Sequence, residues 1–314
     1  MKKLLNHLTL AVALSVALFA TSCKKTAVEN EDVVTEAELK TQSDDQERFS
    51  AETDAVADDA NAALENSGIS NLGETPQTPQ LPNVCDYTVA IDTVSNPRTI
   101  TITYSGTGCL GNRSRSGKVI VSFAPNFRWA AAGASYTITY QNLQITRNAD
   151  SKRITLNGTK TITNVSGGKL RNLATRNEPI IHEVKSSNMT ITFEDGTQRT
   201  WNIAKRRTYT YANGIVIAIS GVGSVSNGAA EWGVNRFDKE FLHSIVEPLV
   251  VKQSCNFRLV SGQTKHTVGN ASSTVTFGLD AAGNAVNGCP SGVFYYKAVW
   301  TRPNGNTYTV IAPY

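Results

Sequence analysis

The first residues to weigh are those whose spacing matches known chemistry. Gly106-Thr-Gly-Cys-Leu-Gly111 is a G-x-G-x-x-G run after a strand-like segment. Such a run binds a dinucleotide only where a helix follows, because the pyrophosphate rests on the helix N-terminus. Here Lys118–Phe123 follows, alternating like another strand. The overlapping stretch Gly111–Lys118 misses the phosphate-loop spacing by one residue, and Val119 stands where Ser or Thr would hold magnesium. Residues 106–117 therefore read as a glycine-rich connection carrying Arg113 and Arg115, either an anion contact or a solvated turn. Ser166-Gly-Gly-Lys169 matches S-x-x-K, but that pair needs a helical turn and two central glycines oppose one. His182, His243 and His266 are widely spaced with no second ligand type nearby, so no metal or other cofactor is expected. A glycosidase-type carboxylate pair meets across a cleft rather than in sequence, and nothing selects one here. No catalytic residue is assigned.

One stretch suits binding better than catalysis. In Asn188–Tyr211, a three-residue loop at 195–197, with Gly196 at positive φ, pairs Phe193 with Arg199, Ile191 with Trp201 and Met189 with Ile203. The same face continues through Lys205, Arg207, Tyr209 and Tyr211. An aromatic and basic strip of this kind suits a polyanion or glycan groove. It is also what a strand looks like where core gives way to rim.

These residues sit on strands. From Asp86 onward the chain alternates with period two and is rich in Thr, Val, Ile and Tyr. Turn residues separate the runs: Ser95-Asn96-Pro97, Asn157-Gly158, Asp195-Gly196, Asn213-Gly214 and Asn304-Gly305. The expected fold is all-β, an antiparallel meander forming a large sandwich or barrel-like domain over 84–314. The only helical hint in the body is Arg236–Val246. In the first hairpin, pairing 87 with 104, 89 with 102 and 91 with 100 puts six apolar residues on one face.

Five cysteines are an odd number. Lys2 and Lys3, the apolar run Leu8–Ala20 and the small residues before Cys23 read as a signal peptide over 1–22. "FATSCKK" resembles a bacterial lipobox, with Ala20 where leucine is usual, and it makes Cys23 the lipidation site. The run spans roughly 20 Å as a helix, short of the ~30 Å hydrocarbon core. Cys85, Cys109, Cys255 and Cys289 remain, an even set in an exported chain. Of three pairings, Cys85–Cys109 fits the open end of the first hairpin, which leaves Cys255–Cys289.

Charge divides the chain. Residues 24–80 hold 14 acids and 4 bases, a net of −10, whereas 81–314 hold 12 acids and 24 bases, a net of +12. The acidic stretch, with the rest of 23–83, reads as a tether. Ser43 and Gln46 suggest a capping box, and Phe49, Val56, Ala60, Ala63 and Leu64 recur near helical spacing. A helix over 43–66 follows, either packed or transient in a solvated linker. The basic body has three readings: solubility on outward strand faces, which leads; anionic partners such as acidic polysaccharide; or the acidic tether folded back upon it. Nucleic acid is not an expected partner.

"TITITYSGTGCLGN…SGKVIVSF" and "EPLVVKQSCNFRLVSG" resemble segments of uncharacterised Thr-rich β lipoproteins of Bacteroidota. That resemblance implies an outer-membrane lipid anchor, with the body on the periplasmic or cell-surface side, and carries no activity. It also makes Thr93, in Asp92-Thr93-Val94, an O-glycosylation candidate. The expectation is a membrane-anchored, non-catalytic binding or envelope-structural module favouring anionic or glycan ligands, or one docked on another envelope protein. The alternative is a cell-surface hydrolase with an unidentified carboxylate pair.

Overall fold

Period-two alternation requires a sheet with one apolar face, and that face must be covered. A computed structural model describes residues 34–66, 86–107, 113–289, 292–302 and 304–314. Among these residues it shows one α-helix, α1 (Glu36–Asn66), two short 3-10 turns at Leu170–Thr175 and Gln253–Cys255, and fourteen antiparallel strands in one sheet. The strands are β1 (Tyr87–Asp92), β2 (Arg98–Thr107), β3 (Arg113–Phe123), β4 (Ala134–Arg147), β5 (Arg153–Asn164), β6 (Ile180–Phe193) and β7 (Gln198–Tyr211). They continue as β8 (Ile215–Gly221), β9 (Ala229–Val234), β10 (Glu240–Lys252), β11 (Arg258–Val268), β12 (Ala271–Leu279), β13 (Tyr295–Thr301) and β14 (Thr307–Pro313). Each strand pairs with its sequence neighbour, apart from one break. There β8 and β9 lie end to end between β7 and β10, so they act as one interrupted strand.

The acidic helix belongs to the same unit as the sheet, Val34–Tyr314. Phe49, Val56, Ala60, Ala63 and Leu64, the expected stripe, are all buried in one core with Ile100, Val121, Ile138, Leu156, Ile191 and Trp201. The boundary expected at 83/84 therefore does not divide helix from sheet. The helix also begins earlier than expected. Thr35 and Glu38 form a reciprocal capping box, Thr35 N–H to Glu38 Oε2 at 2.7 Å and Glu38 N–H to Thr35 Oγ1 at 3.2 Å. Ser43 and Gln46 lie inside the helix.

The first hairpin pairs as its alternation requires, Tyr87 with Tyr104, Val89 with Ile102 and Ile91 with Ile100. The β6–β7 hairpin is displaced by two residues. Ile191 pairs with Arg199 and Met189 with Trp201, because the loop closes on Phe193 and Thr197 rather than on 194 and 198. A two-residue shift keeps every side chain on its expected face. Asn157-Gly158 is not a turn but an irregularity inside β5. Gly158 has φ +118°, and a Cβ there would come within 3.0 Å of Met189 Cα. The Asn157 side chain accepts the Asn142 N–H at 2.9 Å. Similar register shifts cross β3–β4, β4–β5 and β6–β7, which bends the long strands. Residues 236–246 form no helix; Phe241, His243 and Ile245 alternate inward on β10.

Candidate functional site

The face of β7 lies beneath α1. Arg199, Trp201, Lys205, Arg207 and Tyr209 share it as expected, and all five are buried, while Tyr211 beyond them is 50% exposed. The expected polyanion groove is thus taken up by the chain's own helix. Asp54 and Asp58 pair with Arg207 at 2.8 and 2.9 Å, Asp45 with Arg236 at 2.8 Å and Glu38 with Lys239 at 3.3 Å. Arg113 pairs with Glu52 at 3.0 Å. Arg115 donates to both Asp86 oxygens, at 2.6 and 2.8 Å, and to Asp59 at 2.9 Å. Arg113 and Arg115 thus lie on β3 rather than in a glycine-rich connection, and the anions they contact are internal. The folded-back acidic segment accounts for much of the +12 that the body alone presents.

The centre of this interface is Glu231, which is fully buried. It accepts from Ser50 Oγ at 3.0 Å, Trp201 Nε1 at 2.8 Å, Gln46 Nε2 and Lys205 Nζ. Burial alone would raise its pKa, but Lys205 holds it below the ordinary carboxylate range. Asp54 is likewise held down, at about 2, as Arg207, Lys205 and Lys160 overcome its burial. Lys160 donates to the Thr53 carbonyl, and burial pushes it down to about 7. Glu231 is saturated with donors and has no room for a substrate proton; this cluster is structural.

Space opens where α1 changes character. Toward its N-terminus the stripe gives way to Lys40, Ser43, Asp44 and Gln46, which do not fill the groove of β10–β14. A cavity of about 660 Å³ results. Its middle is lined by small side chains, Thr264, Val275, Ala298 and Val310, between Phe277, Tyr296 and Tyr314 at one end and Trp300 and Tyr308 at the other. The register explains the second group. Glu231 stands opposite His243, His243 opposite His266, His266 opposite Ser273, Ser273 opposite Trp300 and Trp300 opposite Tyr308. One row of polar and aromatic side chains thus runs from the buried ion pair to the exposed Tyr308 (50%).

His243 and His266 are 5% and 3% exposed, with ring centroids 6.0 Å apart. Burial pushes His243 down to about 4 and His266 well below its usual range, so both rings are neutral. His243 Nδ1, both nitrogens of His266 and Trp300 Nε1 are buried without a hydrogen-bond partner. Among the described lining residues Asp44 is the one carboxylate, so no glycosidase pair faces this space. Ser43 Oγ and Ser273 Oγ lie 3.4 Å apart. Among the described residues no cluster suits a metal.

The other sequence candidates lie elsewhere. Cys255 and Cys289 are joined, with Cα atoms 5.4 Å apart. Cys23, Cys85 and Cys109 fall outside the described residues. Thr93 is exposed in the β1–β2 turn, and Lys169 is buried. His182 packs between Trp129 and Tyr209, with ring centroids 5.0 and 4.9 Å away. The sequence shows His243 and His266 only as widely spaced residues, His243 within the stretch 236–246 that hinted at a helix; their pairing across β10 and β11 was not legible. No protein-family model, curated protein or solved structure matches the chain.

Proposed function

We propose that this chain is a non-catalytic binding module that receives a small, mainly apolar organic molecule in the cavity between the first half of α1 and β10–β14. The observation that carries this reading is the set of buried, unpartnered nitrogens of His243, His266 and Trp300 in an aromatic-lined cavity. Buried polar groups are normally hydrogen-bonded to protein or to ordered water, so an orphaned set in one cavity calls for partners that the chain itself does not supply there. Its volume falls in the range of small-molecule pockets. With Arg199, Lys205 and Arg207 engaged by α1, the preference moves from anions and glycans to apolar ligands. The signal-like run over 1–22 and Cys23 in its lipobox-like setting support an outer-membrane anchor.

A titration with the environment-sensitive dye N-phenyl-1-naphthylamine tests this reading. We expect saturable fluorescence enhancement, and a loss of about tenfold or more in affinity, some 1.4 kcal/mol, for Val310→Phe, which fills the middle of the cavity. A flat titration with the folded protein, or an unchanged affinity in the Val310→Phe variant, would overturn it.

A further inference from the structure

Resting on that binding reading, we infer that the ligand is an uncharged, hydroxyl-bearing molecule with an elongated apolar body, its hydroxyl seated on the His243–His266 pair. The argument begins with what the cavity leaves unsatisfied. A neutral imidazole offers one N–H donor and one bare nitrogen acceptor. His266 leaves both nitrogens unpartnered, so it presents a donor and an acceptor together. His243 adds its Nδ1 from the strand alongside. A hydroxyl has one donor and two acceptor lone pairs, so one seated between the rings bonds one nitrogen of His266 and Nδ1 of His243, donating to one and accepting from the other where their tautomers are complementary. Trp300 Nε1–H, two strands further along the same row, is a second donor for an acceptor nearer the exposed Tyr308.

A charged head fits less well. Buried ions need a partner of opposite sign, or their desolvation is not offset. Among the described lining residues the charged ones are Lys40 and Asp44, both on α1 and of opposite sign. Glu231 and Lys205, behind the row, already satisfy each other. Neither histidine supplies a charge. Leu259, Val275, Phe277, Ala298, Val310 and Ala312 give the lining its apolar part, and the uncharged polar atoms beside them are the Gln46 amide and the hydroxyls of Ser43, Thr264, Ser273, Tyr296, Tyr308 and Tyr314. From the row of His266 and Trp300 to that of Phe277 and Tyr296 is four residues along the strands, about 13 Å. That length suits a medium alkyl chain or an extended ring system.

A matched series separates this inference from the reading beneath it. Decanol, decane, decanoate and decylamine share one chain and differ only in the head. Each is titrated against the dye-loaded, full-length folded protein at neutral pH. We expect decanol to displace the dye at least about tenfold more tightly than decane, decanoate or decylamine. His266→Phe should remove decanol's advantage over decane and leave decane unchanged, while His266→Gln, which keeps a donor and an acceptor, should restore part of it. If the dye binds and decanoate or decylamine surpasses decanol, or decanol only equals decane, the inference is wrong and the cavity still binds ligands. If the dye does not bind the folded protein, the reading itself fails. His243→Phe repeats the test should His266→Phe not fold.

Discussion

Glu231 on β9 and Lys205 on β7 form an ion pair enclosed between helix and sheet, with 0% and 3% of their side chains exposed. Their attraction acts where water cannot screen it, but each ion has also lost its hydration. Removing one partner leaves the other charge stranded. Glu231→Gln should therefore destabilise the protein by about 3–5 kcal/mol, and Glu231→Gln combined with Lys205→Met should recover a good part of that loss. Urea unfolding of the single and double variants checks this. A single variant within about 0.5 kcal/mol of the parent, the usual range of surface changes, would refute the enclosure of this pair.

The acidic helix is a core element rather than a spacer, and Phe49 measures the difference. Its ring is fully buried, 5.5 Å from Phe193 and 6.3 Å from Trp201 between centroids. Phe49→Ala should cost about 3–5 kcal/mol, as in other buried aromatic truncations. A helix lying free in a linker would lose almost nothing. Chemical denaturation checks this, followed by tryptophan fluorescence, to which Trp201 contributes together with Trp129, Trp232 and Trp300.

Much of this was legible in the sequence, and the boundary has physical causes. Alternation gave the strands and, through parity, the inward face of β7, because a two-residue error in register preserves the face. Phe49, Val56, Ala60 and Leu64 marked the buried stripe of α1. What the helix packs against was not legible, since net charge gives complementarity without position. Asn157-Gly158 looked like a turn because a bulge demands the same positive φ as a hairpin. Ser43 and Gln46 imitate the box that Thr35 and Glu38 form, so the residue pattern alone points to a helix start later than the real one. The cavity row depends on pairings across six strands, and that register is set by turns and bulges outside any local window.

Three buried histidines each contribute a pH dependence of the same sign, opposed by Asp45, Glu52 and Asp58, whose carboxyls burial raises. Burial holds His182 at about 3, His243 at about 4 and His266 well below its usual range. In the unfolded chain each titrates near 6.5. Between about pH 6.5 and 4.5 the unfolded state therefore binds protons that the native state refuses. Stability is present above this window and is lost as pH falls through it, by about 1.4 kcal/mol per pH unit for each histidine. Urea midpoints at pH 7, 6 and 5 should decline, and His243→Phe should make the decline shallower. A midpoint constant over that range would show that the rings are protonated or exposed in the native state.

The Cys255–Cys289 bridge closes a 34-residue separation beside the aromatic end of the cavity. Cys255 packs with Val260 and Phe294, and Tyr314 lies against the same cluster. Tyr314 is held in turn by its hydroxyl, which donates to the Leu259 carbonyl at 2.8 Å and accepts the Gly278 N–H at 3.1 Å. Opening the bridge frees the unfolded chain and should lower stability by about 3–4 kcal/mol on loop-closure entropy. The native cluster retains its apolar contacts, so the fold should survive. Paired Cys255→Ser and Cys289→Ser substitutions, compared with the parent in the presence and absence of reductant, test both parts. The expected result is a lower urea midpoint for the variant and for the reduced parent, with an unchanged far-ultraviolet spectrum below the transition. Equal midpoints in all samples would mean that the cystine constrains nothing the sheet does not already hold.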